Sequence, residues 1–316
     1  MSERKTIAVV GATGAQGGGL VQAILNNPDG GFAVRAITRD AGTPKALALA
    51  HQGAEVVVAS LDDPDVVRQA LAGAYGAYFV TFFWEHFSPE RELAQARTMA
   101  EAAKAVGIEH AIWSTLEDTR GWVPLDDDRM PTLMDHYKVP HFDAKGEANA
   151  FFSELGVPTT FLLTSFYWDN LIHFGMGPRR GEDGRPVFTL PMDDKRLPGI
   201  AAEDIGRAAF GIFKAGSEYI GRTVGIAGEH LTGADMAAEL GRALGEEVMY
   251  MAITPAEYRA LGFPGADDLG NMFQFKRDFE ADFCGARDVA LTRRLNPQLQ
   301  DFRTWLQRNK ERIPIA

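Results

Sequence analysis

A chain of 316 residues with 46% hydrophobic content can bury a large core, as one α/β domain or as a core domain with a smaller lobe. The formal net charge of −11 argues against a sequence-independent grip on nucleic acid, which needs lysine and arginine in excess, and no run approaches membrane-spanning length. One cysteine, Cys284, excludes an internal disulfide and a cysteine-built zinc site, and no two of the seven histidines stand at His-x-x-x-His spacing, so no metal is expected.

The start, Met1 to Thr6, is short and polar and lacks the apolar stretch of a secretory signal, which with the lone cysteine points to a reducing, cytoplasmic setting. Ile7-Ala8-Val9-Val10 then predicts a first strand, a glycine turn follows, and Leu20, Ile24 and Leu25 carry helical spacing. Phe32 to Thr38 predicts strand two, Pro44 to Gln52 a helix, and Ala54 to Ala59 strand three. Asp63-Pro64 and Ser88-Pro89 are helix starts, a capping side chain followed by proline at the first helical position. Gly76 to Thr81 and Ile108 to Ser114 are strands four and five, with a long helix between them that ends at Gly107.

Regular alternation of this kind predicts a doubly wound parallel Rossmann sheet with helices on both faces and ligands at the carboxyl ends of the strands. From Leu116 to Pro140 the periodicity fails at Gly121, Pro124, Asp126-Asp127-Asp128 and Pro131, which reads as a long loop, either a lid or a spacer. A helix over Phe142 to Leu155 and a strand over Thr159 to Thr164 complete a core domain, residues 1–164. Residues 165–316 are mixed, with strands near Pro186 to Leu190 and Thr223 to Ala227 and helices near Asp204 to Lys214, Ala234 to Leu244 and after the Thr254 capping box. They read as a smaller C-terminal α/β lobe that returns in part to the core.

Gly11-Ala12-Thr13-Gly14-Ala15-Gln16-Gly17 follows strand one and opens helix one. In that context Gly11 permits the tight turn, Gly14 lets backbone approach a pyrophosphate, and Gly17 lets the helix pack closely on the sheet, with free amides facing the phosphates. At the end of strand two, where an NAD site places a carboxylate for the ribose 2′-hydroxyl, stand Thr38 and Arg39, with Asp40 adjacent. A guanidinium suits a 2′-phosphate, so NADP(H) is the expected cofactor. The bland alternatives are a connecting turn and a solvated strand-end charge.

With that fingerprint, Thr81-Phe82-Phe83-Trp84-Glu85, His141-Phe142-Asp143-Ala144-Lys145-Gly146-Glu147 and Leu261-Gly262-Phe263-Pro264-Gly265-Ala266, followed by Asn271-Met272-Phe273, the sequence resembles the NmrA-like family of atypical short-chain dehydrogenase/reductases, and its HSCARG branch in particular. The resemblance implies an extended Rossmann domain with a small lobe, NADP(H) binding, and a role as a redox sensor that changes partners or oligomeric state. It places the phosphate loop at Gly11 to Gln16, the 2′-phosphate contact at Arg39, the adenine-side segment at Ser60-Leu61, the nicotinamide side at Thr81, Phe82 and Phe83, and the ribose contact at Lys145. Tyr167-Trp168-Asp169-Asn170 matches a family stretch that would lie over the cofactor. Gly42-Thr43 stand where the HSCARG branch has basic residues and Ser60-Leu61 where it has an acidic start, which lowers the expected hold on the 2′-phosphate.

Reductases of the wider class use Tyr-x-x-x-Lys, in which lysine lowers the tyrosine pKa. Here the frame reads His141-x-x-x-Lys145, so a phenol is not available there. His141 is then either a proton donor or a helix-start residue facing solvent, and Ser114 is a polar substrate contact or a strand-end cap. Three functions stay open: an NADP(H)-responsive regulator with little or no catalysis, whose cofactor would order Phe82 to Phe87 and Leu116 to Pro140; an NADPH-dependent reductase of a small aromatic or unsaturated metabolite, suggested by Phe82, Phe83, Trp84, Phe166 and Trp168; and an interaction module with a vestigial pocket. The first leads because the tyrosine is absent. Partner classes are NADP(H), a small-molecule substrate, a regulated protein and a second copy of the chain, with no direct nucleic acid and no membrane.

Overall fold

A computed structural model describes residues 4–315; the polar start at Met1 to Glu3 lies outside the described residues. Its strands in chain order are β1 (Lys5–Val10), β2 (Phe32–Thr38), β3 (Glu55–Val58), β4 (Gly76–Phe79), β5 (His110–Thr115), β6 (Thr159–Leu163), β7 (Phe166–Tyr167), β8 (Arg179–Arg180), β9 (Pro186–Leu190), β10 (Arg196–Ile200), β11 (Thr223–Gly225), β12 (Glu229–Thr232) and β13 (Met249–Ala252). Seven of them form one all-parallel sheet in the order β11-β6-β5-β4-β1-β2-β3. The order reverses at β1, so a crevice opens beyond the carboxyl ends of β1 and β4, where doubly wound sheets bind ligands.

Helices α1 (Ala15–Leu25), α2 (Pro44–His51), α3 (Pro64–Leu71), α4 (Pro89–Val106), α5 (Pro140–Glu147) and α6 (Asn149–Glu154) cover the sheet. Thr43, Asp63 and Ser88 cap α2, α3 and α4 with their side chains, and Gly107 ends α4 in the left-handed conformation. Because strand side chains alternate, Ile7 and Val9 of β1 enter one core with Leu20, Val21 and Ile24, while Ala8 and Val10 enter the opposite core with Met99, Ala100 and Ala103. The single helix expected over 142–155 is two, α5 and α6, joined through Ala148, whose ψ of −16° tightens the turn between them.

Beyond β6 come α7 (Asn170–His173), α8 (Ala202–Lys214), α9 (Gly233–Leu244), α10 (Pro255–Arg259), α11 (Ala266–Asp278), α12 (Glu280–Gly285), α13 (Val289–Leu295) and α14 (Phe302–Asn309). Two small sheets, β12-β10-β7 and β13-β9-β8, carry the lobe. A third core under it collects Phe166, Trp168, Phe188, Phe273, Phe275, Phe302 and Trp305. β11 extends the main sheet beside β6, and α8 buries Ile205, Ile212 and Phe213 in the first core. Among the described residues no helix is long and apolar enough to cross a membrane.

The segment from Leu116 to Pro140 is fastened rather than loose. Asp143 on α5 accepts the amides of Thr119, Lys138 and Val139 at 2.8, 2.8 and 3.0 Å, and Lys138 Nζ donates to the carbonyls of Asp127 and Met130, both at 2.8 Å. From α11, Asn271 donates to the carbonyls of Pro131 and Lys138 and Gln274 to that of Arg129. Buried side chains thus meet much of this loop's own backbone hydrogen bonding.

Candidate dinucleotide and active site

The glycine loop turns at Gly11, where φ is +67°. Gly14 donates to the Gly11 carbonyl at 2.8 Å and precedes α1 without a side-chain cap, and the first turn of α1 holds no acidic residue. Its amides are therefore left for an anion. A Cβ on Gly17 would lie 2.4 Å from the Gly11 carbonyl oxygen, so only glycine lets the helix approach this turn. Gln16 ties the loop to the strand ends: its carbonyl accepts from Tyr78 and, at 2.8 Å, from Ser114, and its amide donates to the Tyr167 hydroxyl. Burial pushes both phenols above their ordinary pKa, so both remain protonated partners.

Cations stand beside this loop. Arg39, at the end of β2, pairs with Glu85 from the turn after β4, and Lys45 on α2 reaches within 3.4 Å of the Thr13 carbonyl. Lys45 was not foreseen, and it brings an ammonium close to where Gly42-Thr43 lack one. Ser60 bonds within its own turn, to the amides of Asp62 and Asp63, while Leu61 packs on the second face of the sheet.

Lys145 projects from α5 into a buried cluster. Its ammonium donates to Glu92 and to the Thr81 hydroxyl, with the Thr81 carbonyl at 3.4 Å; Thr81 in turn donates to Glu92. One turn earlier, His141 is buried, correcting the solvent-facing alternative: its Nδ1 lies 2.5 Å from Asp268 Oδ1, and its backbone amide donates to the other carboxylate oxygen at 3.2 Å. Nε2 of His141 bonds to no described residue.

Around it stand aromatic rings. Trp84 lies 4.7 Å and Phe83 5.8 Å from the His141 ring, and the turn closes on Phe87, held at a φ of +54° that residues other than glycine seldom adopt. Gly265, with φ +86°, begins α11 directly beneath: a Cβ there would meet the Trp84 ring at 2.9 Å. The Gly-Phe-Pro-Gly-Ala stretch thus aims α11 so that Asp268 meets His141.

The Tyr167-Trp168-Asp169-Asn170 stretch divides. Tyr167 faces the glycine loop through Gln16, whereas Trp168, 1% exposed, packs against Phe302 and Trp305. Asp169 accepts the amide of Ala202 at 2.8 Å and Asn170 opens α7. Phe166 is core, against Phe273. Trp168 and Phe166 therefore cannot line a cofactor or substrate face, because a ring sealed in the lobe has no surface to offer. Phe82, by contrast, is 53% exposed.

A family model described as the NmrA-like family matches residues 3–304. An "NmrA-like family domain-containing oxidoreductase FrzB" of Cladobotryum sp is 29% identical over 290 residues, covering 85% of this chain and 83% of that one. An NAD(P)H azoreductase of Xenophilus azovorans is 28% identical over 250 residues, covering 78% of this chain and 77% of its own. In fold, the chain is similar to the negative transcriptional regulator NmrA solved in complex with NADP, with a TM-score of 0.79 at 24% identity over 97% of this chain and 95% of the other. The matched span takes in the glycine loop, the His141–Lys145 frame and α11 alike, and the chain belongs to the NmrA-like family.

Proposed function

We propose that this protein binds NADP(H) and reduces a small aromatic or unsaturated acceptor, with Lys145 holding the nicotinamide ribose and His141 supplying the proton. The observation that carries it is the buried His141–Asp268 pair, set where the wider class keeps its tyrosine and one helical turn before Lys145 on α5. The uncapped glycine loop, Arg39 and Lys45 fit a dinucleotide with a 2′-phosphate.

Reduced nicotinamide, when bound, supplies a hydride. The chain's own part would be to deliver a proton from His141 Nε2 to the other atom of the N=N, C=C or C=O bond, with Asp268 at Nδ1 orienting the ring. Solvent then returns the proton. Trp84, half-buried, offers a face to a planar substrate, with the buried Phe83 ring packed behind it. The named activities of FrzB and the azoreductase support a reductase in this family.

The reading is tested by following NADPH absorbance against azo dyes, quinones, enals and aryl ketones. Turnover lost in His141→Asn while calorimetric NADPH affinity holds is the expected result; no turnover on any acceptor class sinks it.

A second reading, an HSCARG-like cytoplasmic redox sensor that presents a different face to a protein partner, is supported by the Arg39–Glu85 pair, which links the 2′-phosphate position to the turn carrying Trp84. It predicts no turnover but a change of partner or oligomeric state with NADPH, read by light scattering.

A further inference from the structure

Glu92 is the one carboxylate at the site whose side chain has no exposure. It sits in the first turn of α4, and its Oε1 receives both Lys145 and Thr81. Its other oxygen, Oε2, is sealed from solvent without a hydrogen-bond partner. So is Nε2 of His86, and the two orphans face each other at 3.7 Å.

The tautomer of His86 is set by its other nitrogen. The Ser88 amide donates to Nδ1 at 3.0 Å, so Nδ1 is the acceptor and the neutral ring carries its proton on Nε2, aimed at Glu92. Burial lowers the His86 pKa, in keeping with a neutral ring. At 3.7 Å the pair is just beyond a hydrogen bond, and a shift of under an ångström closes it.

The Lys145 ammonium has three protons, and Glu92, the Thr81 hydroxyl and the Thr81 carbonyl take all three. A ribose hydroxyl must displace one of them. A buried carboxylate left without its cation is strongly unfavourable, so Lys145 can turn toward a ligand only if Glu92 keeps it by one bond or finds another donor. His86 is that donor, and it rides on the same turn as Phe83 and Trp84.

We propose that Glu92 is the positioning residue for Lys145, a buried counter-ion that holds the ammonium ready for the ribose and closes onto His86 Nε2 when Lys145 engages, drawing the Phe83–Trp84 turn over the site. This rests on the dinucleotide reading above.

Calorimetric titration of the full chain with NADPH tests it through a double-mutant cycle. Glu92→Gln keeps the shape and loses the charge, and Lys145→Met removes the ammonium. Each is expected to weaken NADPH about 10-fold or more, and the pair no more than the worse single variant, because Glu92 acts through Lys145. His86→Phe should weaken NADPH in the parent and change nothing in the Glu92→Gln background. Where Glu92→Gln does not fold, the charge-free pair Glu92→Gln/Lys145→Met is compared with Lys145→Met alone, with equal affinities expected. Wild-type affinity in Glu92→Gln, or losses that multiply, would overturn the assignment and leave dinucleotide binding standing. No binding of NADPH or NADH by the wild type would overturn both.

Discussion

His141 Nδ1 stands 2.5 Å from Asp268 Oδ1, joining α5 to α11 across 127 positions of sequence. A carboxylate there stabilises the imidazolium and fixes which nitrogen is left for the substrate, the service an aspartate gives histidine in hydrolytic triads. Asp268→Asn preserves the shape and removes that service. Turnover of any acceptor the wild type reduces should fall roughly 100-fold, within the usual range for general acid catalysis, while the Kd for NADPH stays put. Steady-state kinetics beside calorimetry separates the two, and an unchanged kcat in Asp268→Asn rules out His141 as the proton source.

Arg39 and Glu85 pair at the surface, where an ion pair is worth little and a phosphate can displace the carboxylate. Arg39→Ser should therefore weaken NADPH about 10-fold, one charge-assisted hydrogen bond, with NADH unaffected. Glu85→Gln, which removes the competitor, should tighten NADPH by a few-fold and leave NADH alone. Equal losses for both cofactors in Arg39→Ser would mean that the guanidinium reads the pyrophosphate instead.

Much of this fold was legible because parallel strands are buried on both faces and read as apolar runs, with proline and a capping side chain marking the starts of α3 and α4. The glycine loop was legible for a related reason: its constraint is local, within seven residues. Asp268 and Glu92 were not, since each meets its partner across long separations and each sits in a charged run, Asp267-Asp268 and Glu90-Arg91-Glu92, that reads as a solvated face. A signal was present. Glu92 continues the buried stripe Ala96, Met99, Ala103, and Asp268 the stripe Met272, Phe275, so each is a carboxylate on an apolar face of its helix. Trp168 misled in the other direction, since a motif match gave it a ligand where the third core, with Phe302 and Trp305, had already claimed the ring.

Gly17 offers a sharper check on the loop. A methyl group there meets backbone, the Gly11 carbonyl oxygen at 2.4 Å and the Val10 carbonyl oxygen at 3.0 Å, neither of which can swing aside as a side chain can. Gly17→Ala should lower stability by about 1–3 kcal/mol in denaturant unfolding and abolish NADPH binding, because the turn must open to admit the group. Gly18→Ala, whose added methyl would meet the Ala12 carbonyl oxygen at an ordinary 3.4 Å, should be far milder in both measurements.

Lys276 carries a prediction about pH. Its ammonium lies among Phe142, Phe273 and Phe283, 5.3, 5.6 and 5.3 Å from their ring centres, with the Met272 sulfur at 3.2 Å as its hydrogen-bond acceptor. Burial, helped by the nearby Arg287 guanidinium, lowers its pKa to about 7. Between pH 7 and the ordinary lysine range the unfolded chain then holds a proton that the folded chain has released. Stability must therefore rise with pH across that window, approaching about 1.4 kcal/mol per pH unit at its steepest from this group alone. Below pH 7 both states are protonated and the contribution is flat, at its least favourable. Lys276→Met fills the same space without a charge to bury, so it should be more stable than the parent at pH 7, with the gap narrowing toward pH 10. Urea unfolding at pH 6, 7, 8 and 9 measures it, and parallel pH profiles for the parent and Lys276→Met would show that the ammonium is not confined by those rings.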